Sequence, residues 1–447
     1  MKKIRVKNTY QLKIAGVPSL SVREASLGKQ LAVLPNDIAL IKPKLAVKEG
    51  QSVQTGTVLF YDKRDSNIVF LSPGTGVVSQ IVYGPKRVLE QIIIDVSGKE
   101  ELISFDRISP AHLSKMDSEG VAQSIQKGGL WGVFTEHPFR NIPRSHAKAP
   151  AIYVSIDNDE PYLPQSSVYL KGREDDFIFG ISILKALCPV VNVGVSSKNT
   201  SVKSVLSNHI THELEGAYPA NNAGVFLYYN KKDASENKAW SIKGQDVLRL
   251  AQLFKEGVYP TERMIVLAGD LVKTPSHVKI REGMAVSDIC IDMPTDPTRF
   301  IAGGVLTGRK VTSNGFLGFN DYALNLIREG KETEVLTFFR PGLDKHTFGR
   351  TYLSALFSNS NFKMTSSLNG GYRSCVSCGE CPKVCPIDVL PQLLMKAIKA
   401  GEMEEAMDQG FLDCASCGLC TYVCPSKIDL DTVFDEAREK LYWEVEK

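Results

Sequence analysis

The sequence predicts a multidomain protein that combines α/β and α+β units with a helical, cysteine-rich C-terminal region. Strand-like segments separated by glycine and proline turns fill the first hundred residues, and strands alternate with helices from about residue 109. Eight of the ten cysteines lie within residues 375–424. With 447 residues and 43% hydrophobic content, the chain is long enough for three or four domains with sizeable cores.

Charge and hydropathy exclude several classes of protein. The 53 Lys and Arg residues nearly balance the 50 Asp and Glu residues, and no basic stretch is clustered, so nucleic acid is not an expected partner. The most apolar window, 177–195, is interrupted by Lys185 and Pro189, which predicts a core helix followed by a strand and no membrane span. The N-terminus lacks the apolar run of a signal peptide, so we expect a cytoplasmic protein with reduced thiols.

Residues 1–108 are predicted to form a β domain. "VKEGQSVQTGTVLF" followed by "SPGTGVVSQI" is similar to the barrel-sandwich hybrid fold of biotinyl and lipoyl domains. Lys63, in "YDKRD", lies near the position of the modified lysine of those domains. Because its distance to Gly76 is long for that hairpin and no Met-Lys-Met occurs, we expect Lys63 to be an exposed turn residue.

Residues 109–258 are predicted to form a Rossmann-like α/β domain, because "AIYVSI" and "PVVNVGV" alternate with helical segments. Ligands of such sheets bind beyond the carboxyl ends of the strands. The acidic residues Asp157, Asp159 and Glu160 follow the first of these strands. They are candidates for contact with a flavin or nucleotide, and the alternative is a solvated loop.

The α/β region lacks the usual phosphate-binding sequences. Neither GxGxxG nor GxxxxGK[ST] occurs, and the glycines of "KGGLWGVF" are followed by bulky Leu130 and Trp131, which disfavours a self-contained nicotinamide site. His209 and His212 in "NHITHELEG" could be a metal pair, but without a third ligand nearby they are expected to be surface histidines.

Residues 259–350 are predicted to form a further compact β-rich unit. "VLAGDLVKTPSHVKIREGMAVSDI" is similar to the soluble-ligand-binding β-grasp (SLBB-like) module. Cys290, which follows this stretch, and Cys188, which ends the apolar helix, are expected to be buried small apolar side chains.

Residues 351–447 are predicted to form a helical domain around two cysteine runs. Each run has the spacing C-x2-C-x2-C-x3-C-P, and the cysteines are Cys375, Cys378, Cys381, Cys385, Cys414, Cys417, Cys420 and Cys424. This spacing is typical of iron–sulfur binding, since each short gap carries the chain past one iron, and Gly379 and Gly418 allow close approach of the backbone. A pair of zinc sites is the alternative.

Helices are predicted on both sides of the second run. Pro391 suits a first helical position, and Gly401 suits the position after a helix end. The last segment, "LDTVFDEAREKLYWEV", carries an apolar stripe that is typical of a helix packed in a core.

The two runs resemble those of two-cluster ferredoxins, in which the fourth cysteine of each run binds the cluster of the other run. This resemblance implies two [4Fe–4S] clusters. The first would be bound by Cys375, Cys378, Cys381 and Cys424. The second would be bound by Cys414, Cys417, Cys420 and Cys385.

The body of the chain resembles the A subunit family of the sodium-translocating NADH:quinone oxidoreductase. The matching stretches include "LKIAGVPS", "GPKRVLEQIIIDVSG", "GLWGVFTEHPFRNIP", "WSIKGQDVLRLAQLFKEG", "VLTGRK" and "FFRPGLDKHTFGRTYLSALF". Many members of that family have lost the cluster cysteines. The intact runs here, together with "DEPY", are similar to the C subunit of Rnf complexes, although "GLWGVFTEHPF" replaces the glycine-rich loop on which the flavin and NADH sites of that protein depend.

The resemblance implies a peripheral subunit on the cytoplasmic face of the inner membrane, in a complex that oxidises NADH, reduces quinone and exports sodium. Its partners would be the other subunits of the pump, including an integral-membrane subunit. This chain would provide an electron relay through its clusters and no complete active site, so no catalytic residue is assigned. FMN is disfavoured on this chain, and quinone could bind nearby. The alternatives are an Rnf-type subunit that transfers electrons between NADH and ferredoxin, and a scaffold whose clusters are structural.

Overall fold

The computed structural model describes residues 1–157, 160–291, 296–330, 339, 341–343, 345, 347–348, 352–357, 361–367 and 371–446. In this part of the chain, four β-sheets precede a C-terminal helical unit. The predicted Asp159 lies outside the described residues, as does most of the segment 331–351.

The first two strands of the chain pair with later units of the protein, and the bounds 1–108 of the barrel-sandwich unit stay a prediction. Strand β1 (Lys2–Arg5) pairs in parallel with residues 212–215, and β2 (Ser19–Glu24) pairs in parallel with residues 276–279. Short strands of this kind cannot be assigned to a sheet from sequence, because their partners lie some 200 residues away in the chain. The N-terminus therefore joins two later units of the protein.

The barrel-sandwich unit consists of two antiparallel sheets. Its strands are β3 (Gln30–Val33), β4 (Pro43–Leu45), β5 (Ser52–Val53), β6 (Val58–Asp62), β7 (Asp65–Leu71), β8 (Gly76–Tyr83) and β9 (Leu89–Val96). The sheet orders are β3-β9-β8-β5 and β4-β6-β7. Phe60 and Phe70 stack in its core with ring centroids 4.7 Å apart. Lys63 is exposed in the tight turn between β6 and β7, as the sequence predicted.

The second unit is an α/β sheet with helices packed against it. Its helices are α1 (Pro110–Leu113), α2 (Ser118–Lys127), α3 (Ser166–Tyr169), α4 (Glu174–Leu187), α5 (Thr200–Val205), α6 (Ala223–Asn230) and α7 (Gly244–Glu256). Its strands are β10 (Thr135–Glu136), β11 (Ile152–Ser155), β12 (Val191–Ser196), β13 (His212–Glu215) and β14 (Trp240–Lys243). The order is β1-β13-β12-β11-β14-β10, and β10 alone is antiparallel to its neighbour. The apolar window 177–195 forms helix α4 and most of strand β12, as predicted.

The third unit is a mixed sheet with the order β18-β17-β19-β15-β16-β2. Its elements are β15 (Glu262–Ala268), β16 (Ser276–Arg281), α8 (Val286–Ile289), β17 (Thr298–Ala302), β18 (Arg309–Val311) and β19 (Ala323–Arg328). The β-rich character agrees with expectation, and the assignment to the β-grasp class stays a prediction.

The C-terminal unit is helical, as predicted. Its helices are α9 (Ser354–Phe357), α10 (Glu380–Lys383), α11 (Pro391–Ala400), α12 (Met403–Asp408), α13 (Leu419–Tyr422) and α14 (Leu430–Val445). Pro391 is the first residue of α11, and Gly401 ends that helix with a φ of 84° that disfavours other residues. The buried face of α14 includes Leu430, Phe434 and Leu441. Within the described residues, no helix is both long enough and apolar enough to span a bilayer.

The last turn of α14 packs on the barrel-sandwich unit. Arg64 donates from Nη1 to the Tyr442 hydroxyl at 3.0 Å, and its guanidinium lies 4.6 Å from the Trp443 ring. The Lys42 ammonium lies 4.6 Å from the same ring. These contacts join the end of α14 to the barrel-sandwich unit and hold the helical unit against the rest of the protein.

A buried ionic network joins the α/β unit to the mixed sheet. Arg249 of α7 and Arg263 of β15 both pair with Glu282, with nitrogen-to-oxygen distances of 2.6 and 3.1 Å. The Tyr259 hydroxyl donates to the other Glu282 oxygen at 3.0 Å. Asp246 also pairs with Arg249 Nη1 at 3.4 Å, so two buried carboxylates neutralise the two guanidinium groups, and Glu282 is the one that contacts both.

We expect the substitution Glu282→Gln to destabilise the fold by about 3–5 kcal/mol, because it leaves buried Arg263 without its ion-pair partner and leaves Arg249 with Asp246 alone. Thermal unfolding followed by circular dichroism would show a lower transition temperature. The matched control is Glu262→Gln, which removes an exposed ion pair to Lys279 and should cost about 0–1 kcal/mol. Equal effects of the two variants would contradict the role of the buried network.

Candidate metal centre

The two cysteine runs adopt the same local backbone. In each run the residue before the second cysteine has a positive φ, 53° at Ser377 and 41° at Ser416. The glycine after that cysteine is also left-handed, with φ of 74° at Gly379 and 71° at Gly418, and it precedes the one-turn helix that carries the third cysteine. Left-handed positions turn the chain sharply, so each run curls its first three thiols around a common point.

The structure brings the thiols together in two crossed sets. Cys375, Cys378, Cys381 and Cys424 line one small cavity. The Cys381 thiol interacts electrostatically with Cys378 and Cys424. The last cysteine of the second run therefore lies with the first three cysteines of the first run.

The other four thiols form the second set. The Cys420 thiol interacts with those of Cys417, Cys414 and Cys385, and the Cys417 thiol interacts with those of Cys414 and Cys385. Cys385 ends the first run, so this set is crossed in the same way as the first. The grouping is the one that the resemblance to two-cluster ferredoxins implies.

Burial makes these thiols hard to ionise by themselves. Desolvation raises the pKa of Cys381 and of Cys385 to about 11, and it raises the pKa of Cys417 and of Cys420 further. Ligands to iron are thiolates, so the positive charge of bound iron would have to stabilise the ionised form.

Two sets of four thiols fit the donor set that [4Fe–4S] clusters require. In the described part of the chain, no three His, Cys, Asp or Glu side chains are grouped closely enough to hold a single metal ion.

Side chains from the rest of the protein hold the second set in place. The Tyr218 hydroxyl donates to the carbonyl of Cys417 at 2.7 Å, and the Tyr229 hydroxyl donates to the carbonyl of Pro386 at 2.8 Å. Asn8 Nδ2 donates to the carbonyl of Cys385 at 3.1 Å, and Arg140 Nη2 donates to the carbonyl of Ala415. These donors satisfy loop carbonyls that the short helices leave free.

The two sets differ in their distance from the surface. Cys378 of the first set is exposed, and the neighbouring Val376 side chain is 67% exposed. The second set lies between the helical unit and the α/β unit, where Gly224 of α6 approaches Ala415 so closely that an added Cβ would lie 3.5 Å away. The first set therefore includes an exposed thiol, whereas Cys385 of the second set is buried and the other three thiols of that set are partly exposed.

A large cavity of about 990 Å³ adjoins the second set, at the junction of all four units. Its wall includes Tyr218, Ser416, Glu160 and Lys243. The Lys243 ammonium lies 4.2 Å from the Tyr322 ring, and desolvation lowers its pKa.

Asp157 and Glu160, which follow β11, do not lie in a solvated loop, so that alternative was wrong for these two residues. Asp157 accepts from the Ser196 amide and from Asn199 Nδ2, both at 2.8 Å. Glu160 is buried and accepts hydrogen bonds from the amides of Leu306 and Thr307 at 2.9 and 3.0 Å. Both carboxylates border the large cavity, and their contact with a flavin or nucleotide stays a prediction.

The interpretation of the histidines as surface residues was wrong for His212. This side chain is buried on β13, with its ring centroid 5.0 Å from that of Phe226, and desolvation lowers its pKa. Inward-facing strand positions alternate, and the segment "HELE" gave no apolar pattern that would have revealed the burial. Cys188 is buried, as expected, and Cys290 is partly buried.

Sequence reasoning missed the residues that hold the cysteine loops. Arg140 and Tyr218 lie about 200 to 280 residues before the runs, and no local pattern connects them to the cysteines. The sequence offered one signal for Arg140, which belongs to "GLWGVFTEHPFRNIP", one of the stretches that carry the family resemblance.

Three family models match the chain. Residues 4–97 match the NqrA N-terminal barrel-sandwich hybrid domain, and residues 116–259 match the NqrA second alpha/beta domain. Residues 364–428 match a 4Fe-4S dicluster domain. The last match includes all eight clustered cysteines and indicates iron–sulfur clusters in this region.

Among solved structures, a chain of the NAD+-reducing [NiFe]-hydrogenase in the H2-reduced state aligns with 76% of this chain and 68% of its own length. The identity is 11% and the TM-score is 0.38, which is too low to indicate a shared fold.

Characterised relatives match over most of the chain. The A subunit of the Na(+)-translocating NADH-quinone reductase of Vibrio parahaemolyticus is 33% identical over 406 residues, which cover 90% of this chain and 91% of the relative. The A subunit of the reductase of Neisseria meningitidis serogroup B is 32% identical over 412 residues, with the same coverage. The chain therefore belongs to the family formed by the A subunits of Na(+)-translocating NADH-quinone reductases.

Proposed function

We propose that this chain is the A subunit of a Na+-translocating NADH:quinone reductase and that it relays electrons through two [4Fe–4S] clusters. The observation that carries the relay is the crossed grouping of the eight thiols. Crossing ties the two runs into one small unit and keeps the clusters close to each other, which is the requirement for electron transfer between them.

The cysteines have the role of ligands in this proposal. The first cluster would be bound by Cys375, Cys378, Cys381 and Cys424. The second would be bound by Cys385, Cys414, Cys417 and Cys420. The clusters supply reversible one-electron transfer when bound, and the protein sets their positions and potentials through burial, hydrogen bonds and charge.

The two thiol sets lie in different surroundings, so the two ends of the proposed relay would also differ. Exposed Cys378 and Val376 leave the first cluster open to a partner at the surface. The second cluster would lie against Tyr218 and the large interior cavity. Electrons would exchange with a partner protein at the first end and pass to or from the interior at the second.

The position of the subunit follows from the family and from its surface. The relatives are named as one subunit of a Na+-translocating NADH-quinone reductase, and the described helices include no membrane span. We infer a peripheral subunit on the cytoplasmic face of the membrane, attached through an integral-membrane subunit, with quinone reduced nearby and sodium moved by the partners.

Packing supports the assignment of NADH oxidation to other subunits. The glycines that could have formed a phosphate cradle are already covered, since an added Cβ at Gly128 would lie 2.3 Å from Leu253 and one at Gly129 would lie 2.4 Å from Leu71. The following Trp131 is fully buried and donates to the Pro143 carbonyl at 2.8 Å. A diphosphate or flavin phosphate has no access to this backbone.

The ligand sets can be tested by pairs of cysteine variants in the full chain, purified without oxygen. Under the crossed arrangement, Cys378→Ala and Cys424→Ala should remove the same EPR signal and about half of the iron and acid-labile sulfide. Cys417→Ala and Cys385→Ala should both remove the other signal. Cys188→Ala is the matched control, because this buried thiol lies outside both sets.

A different pairing of the lost signals would contradict the crossed arrangement. If Cys424→Ala removed the signal that Cys417→Ala removes, each run would bind its own cluster and the crossed assignment would be wrong. Wild-type protein that contains zinc and no iron would overturn the relay itself.

An Rnf-type role in NADH entry is the second candidate, and the large cavity beside the second thiol set is the observation that favours it. It requires tightly bound FMN and reduction of the clusters by NADH in the isolated chain. We expect instead no copurified flavin, no bleaching of the iron–sulfur absorbance by NADH and full bleaching by dithionite. Bleaching by NADH would establish the Rnf-type role, and resistance to dithionite would indicate purely structural clusters.

A further inference from the structure

Two guanidinium groups, one partly buried and one buried, flank the loop between Cys414 and Cys417. Arg140 comes from the α/β unit and donates to the carbonyl of Ala415 within this loop. Its charge also interacts with the Cys414 thiol. A cation from a different unit of the protein is thus fixed against the second cysteine set.

Arg438 of α14 is connected to the same loop indirectly, through Asp435. Its Nη1 pairs with Asp435 Oδ1 at 2.6 Å, and the same oxygen accepts from Ser416 Oγ at 3.2 Å. The charges of Arg140 and Arg438 interact with each other, so the two cations lie near one another in spite of their repulsion. Among the described residues, the Arg438 Nε and Nη2 atoms have no hydrogen-bond acceptor, although the side chain is 3% exposed.

The position of Arg140 is maintained at a conformational cost. Its φ of 65° lies in the left-handed region, which is unfavourable for a residue with a long side chain. The turn is held by the Arg140 amide, which donates to the Glu136 carbonyl, and by the Glu136 amide, which donates to the Asn141 carbonyl, both at 2.8 Å. The fold thus holds this guanidinium against the cysteine loop.

Reduction of a cluster with four thiolate ligands adds a negative charge to a group that is already negative. Burial by itself favours the less charged, oxidised form, whereas a nearby buried cation favours the reduced form. Salt screens buried charges only weakly. A guanidinium group in contact with the cysteine loop therefore strongly affects the equilibrium between the oxidised and the reduced cluster.

Three carboxylates act in the opposite direction, and one of them, Asp388, interacts with the Cys385 thiol. Asp431 interacts with the Cys417 and Cys420 thiols, and Asp435 pairs with Arg438. The Asp435 side chain is 55% exposed, so water screens its charge, whereas both guanidinium groups are enclosed by protein. Beside the first thiol set, the Lys396 ammonium contacts Ser377 Oγ at 3.4 Å and is exposed to solvent.

We propose that Arg140, assisted by Arg438, raises the reduction potential of the cluster bound by the Cys385, Cys414, Cys417 and Cys420 thiols, and thereby lets a buried cluster accept an electron. The inference rests on the proposed relay. It makes Arg140 a positioning residue that sets a potential without itself binding iron.

The test is an EPR-monitored redox titration of the full chain, purified without oxygen, in wild-type, Arg140→Gln, Arg140→Lys and Lys396→Gln forms. The second cluster is identified as the signal that Cys417→Ala removes. At the wild-type midpoint potential, Arg140→Gln should raise the ratio of oxidised to reduced second cluster at least about tenfold. For a one-electron couple, this corresponds to a shift of the midpoint potential by about 59 mV to lower values. Arg140→Lys keeps the charge and should show less than half of this shift.

The first cluster is the internal control and should keep its potential in Arg140→Gln. Lys396→Gln is the matched control, because it removes an exposed cation beside the equivalent serine of the first run. If Arg140→Gln does not assemble its clusters, Arg438→Gln tests the same charge from α14 and should also lower the second potential.

The possible results distinguish a failure of the proposed relay from a failure of the proposed role of Arg140. A wild-type chain without reducible clusters would overturn the relay. Two reducible clusters whose potentials are unchanged in Arg140→Gln and Arg438→Gln, or shift together, would overturn the role of Arg140 alone.

Discussion

The arrangement of the protein depends on hydrogen bonds from distant side chains to the backbone of the cysteine loops. A loop that turns tightly around a cluster cannot pair its own carbonyls, and buried carbonyls without donors are costly. Tyr218, Tyr229, Asn8 and Arg140 supply these donors from outside the helical unit. The cysteine-rich region is therefore an integral part of the fold and differs from a ferredoxin attached by a linker.

The two ends of the chain extend this integration. Strands β1 and β2 enter the sheets of two later units, and the end of α14 packs on the barrel-sandwich unit through Trp443 and Tyr442. Each of these contacts bridges hundreds of residues. Together with the buried Glu282 network, they fix the second thiol set at the junction of the units and leave the first at the surface.

Burial and charge oppose each other at the inner end of the proposed relay. Desolvation raises the pKa of the Cys417 and Cys420 thiols, and the same effect would disfavour a reduced cluster at this position. The enclosed guanidinium groups of Arg140 and Arg438 offset that penalty. A cluster at this position would therefore remain reducible although Cys385 is buried and the other three thiols of its set are only partly exposed.

The amino-acid sequence by itself determined the local features: the spacing of the cysteine runs, the start of α11 at Pro391, its end at Gly401 and the strand-rich first hundred residues. These follow from backbone preferences and short-range periodicity, which act over a few residues. The grouping of Cys424 with Cys378 was implied by the resemblance of the two runs to two-cluster ferredoxins. Only the tertiary structure decided that His212 is buried and that Glu160 binds the backbone of Leu306 and Thr307. The sequence could not specify where Arg140 lies, because its partner is a backbone carbonyl 275 residues away, and any residue presents the same carbonyl.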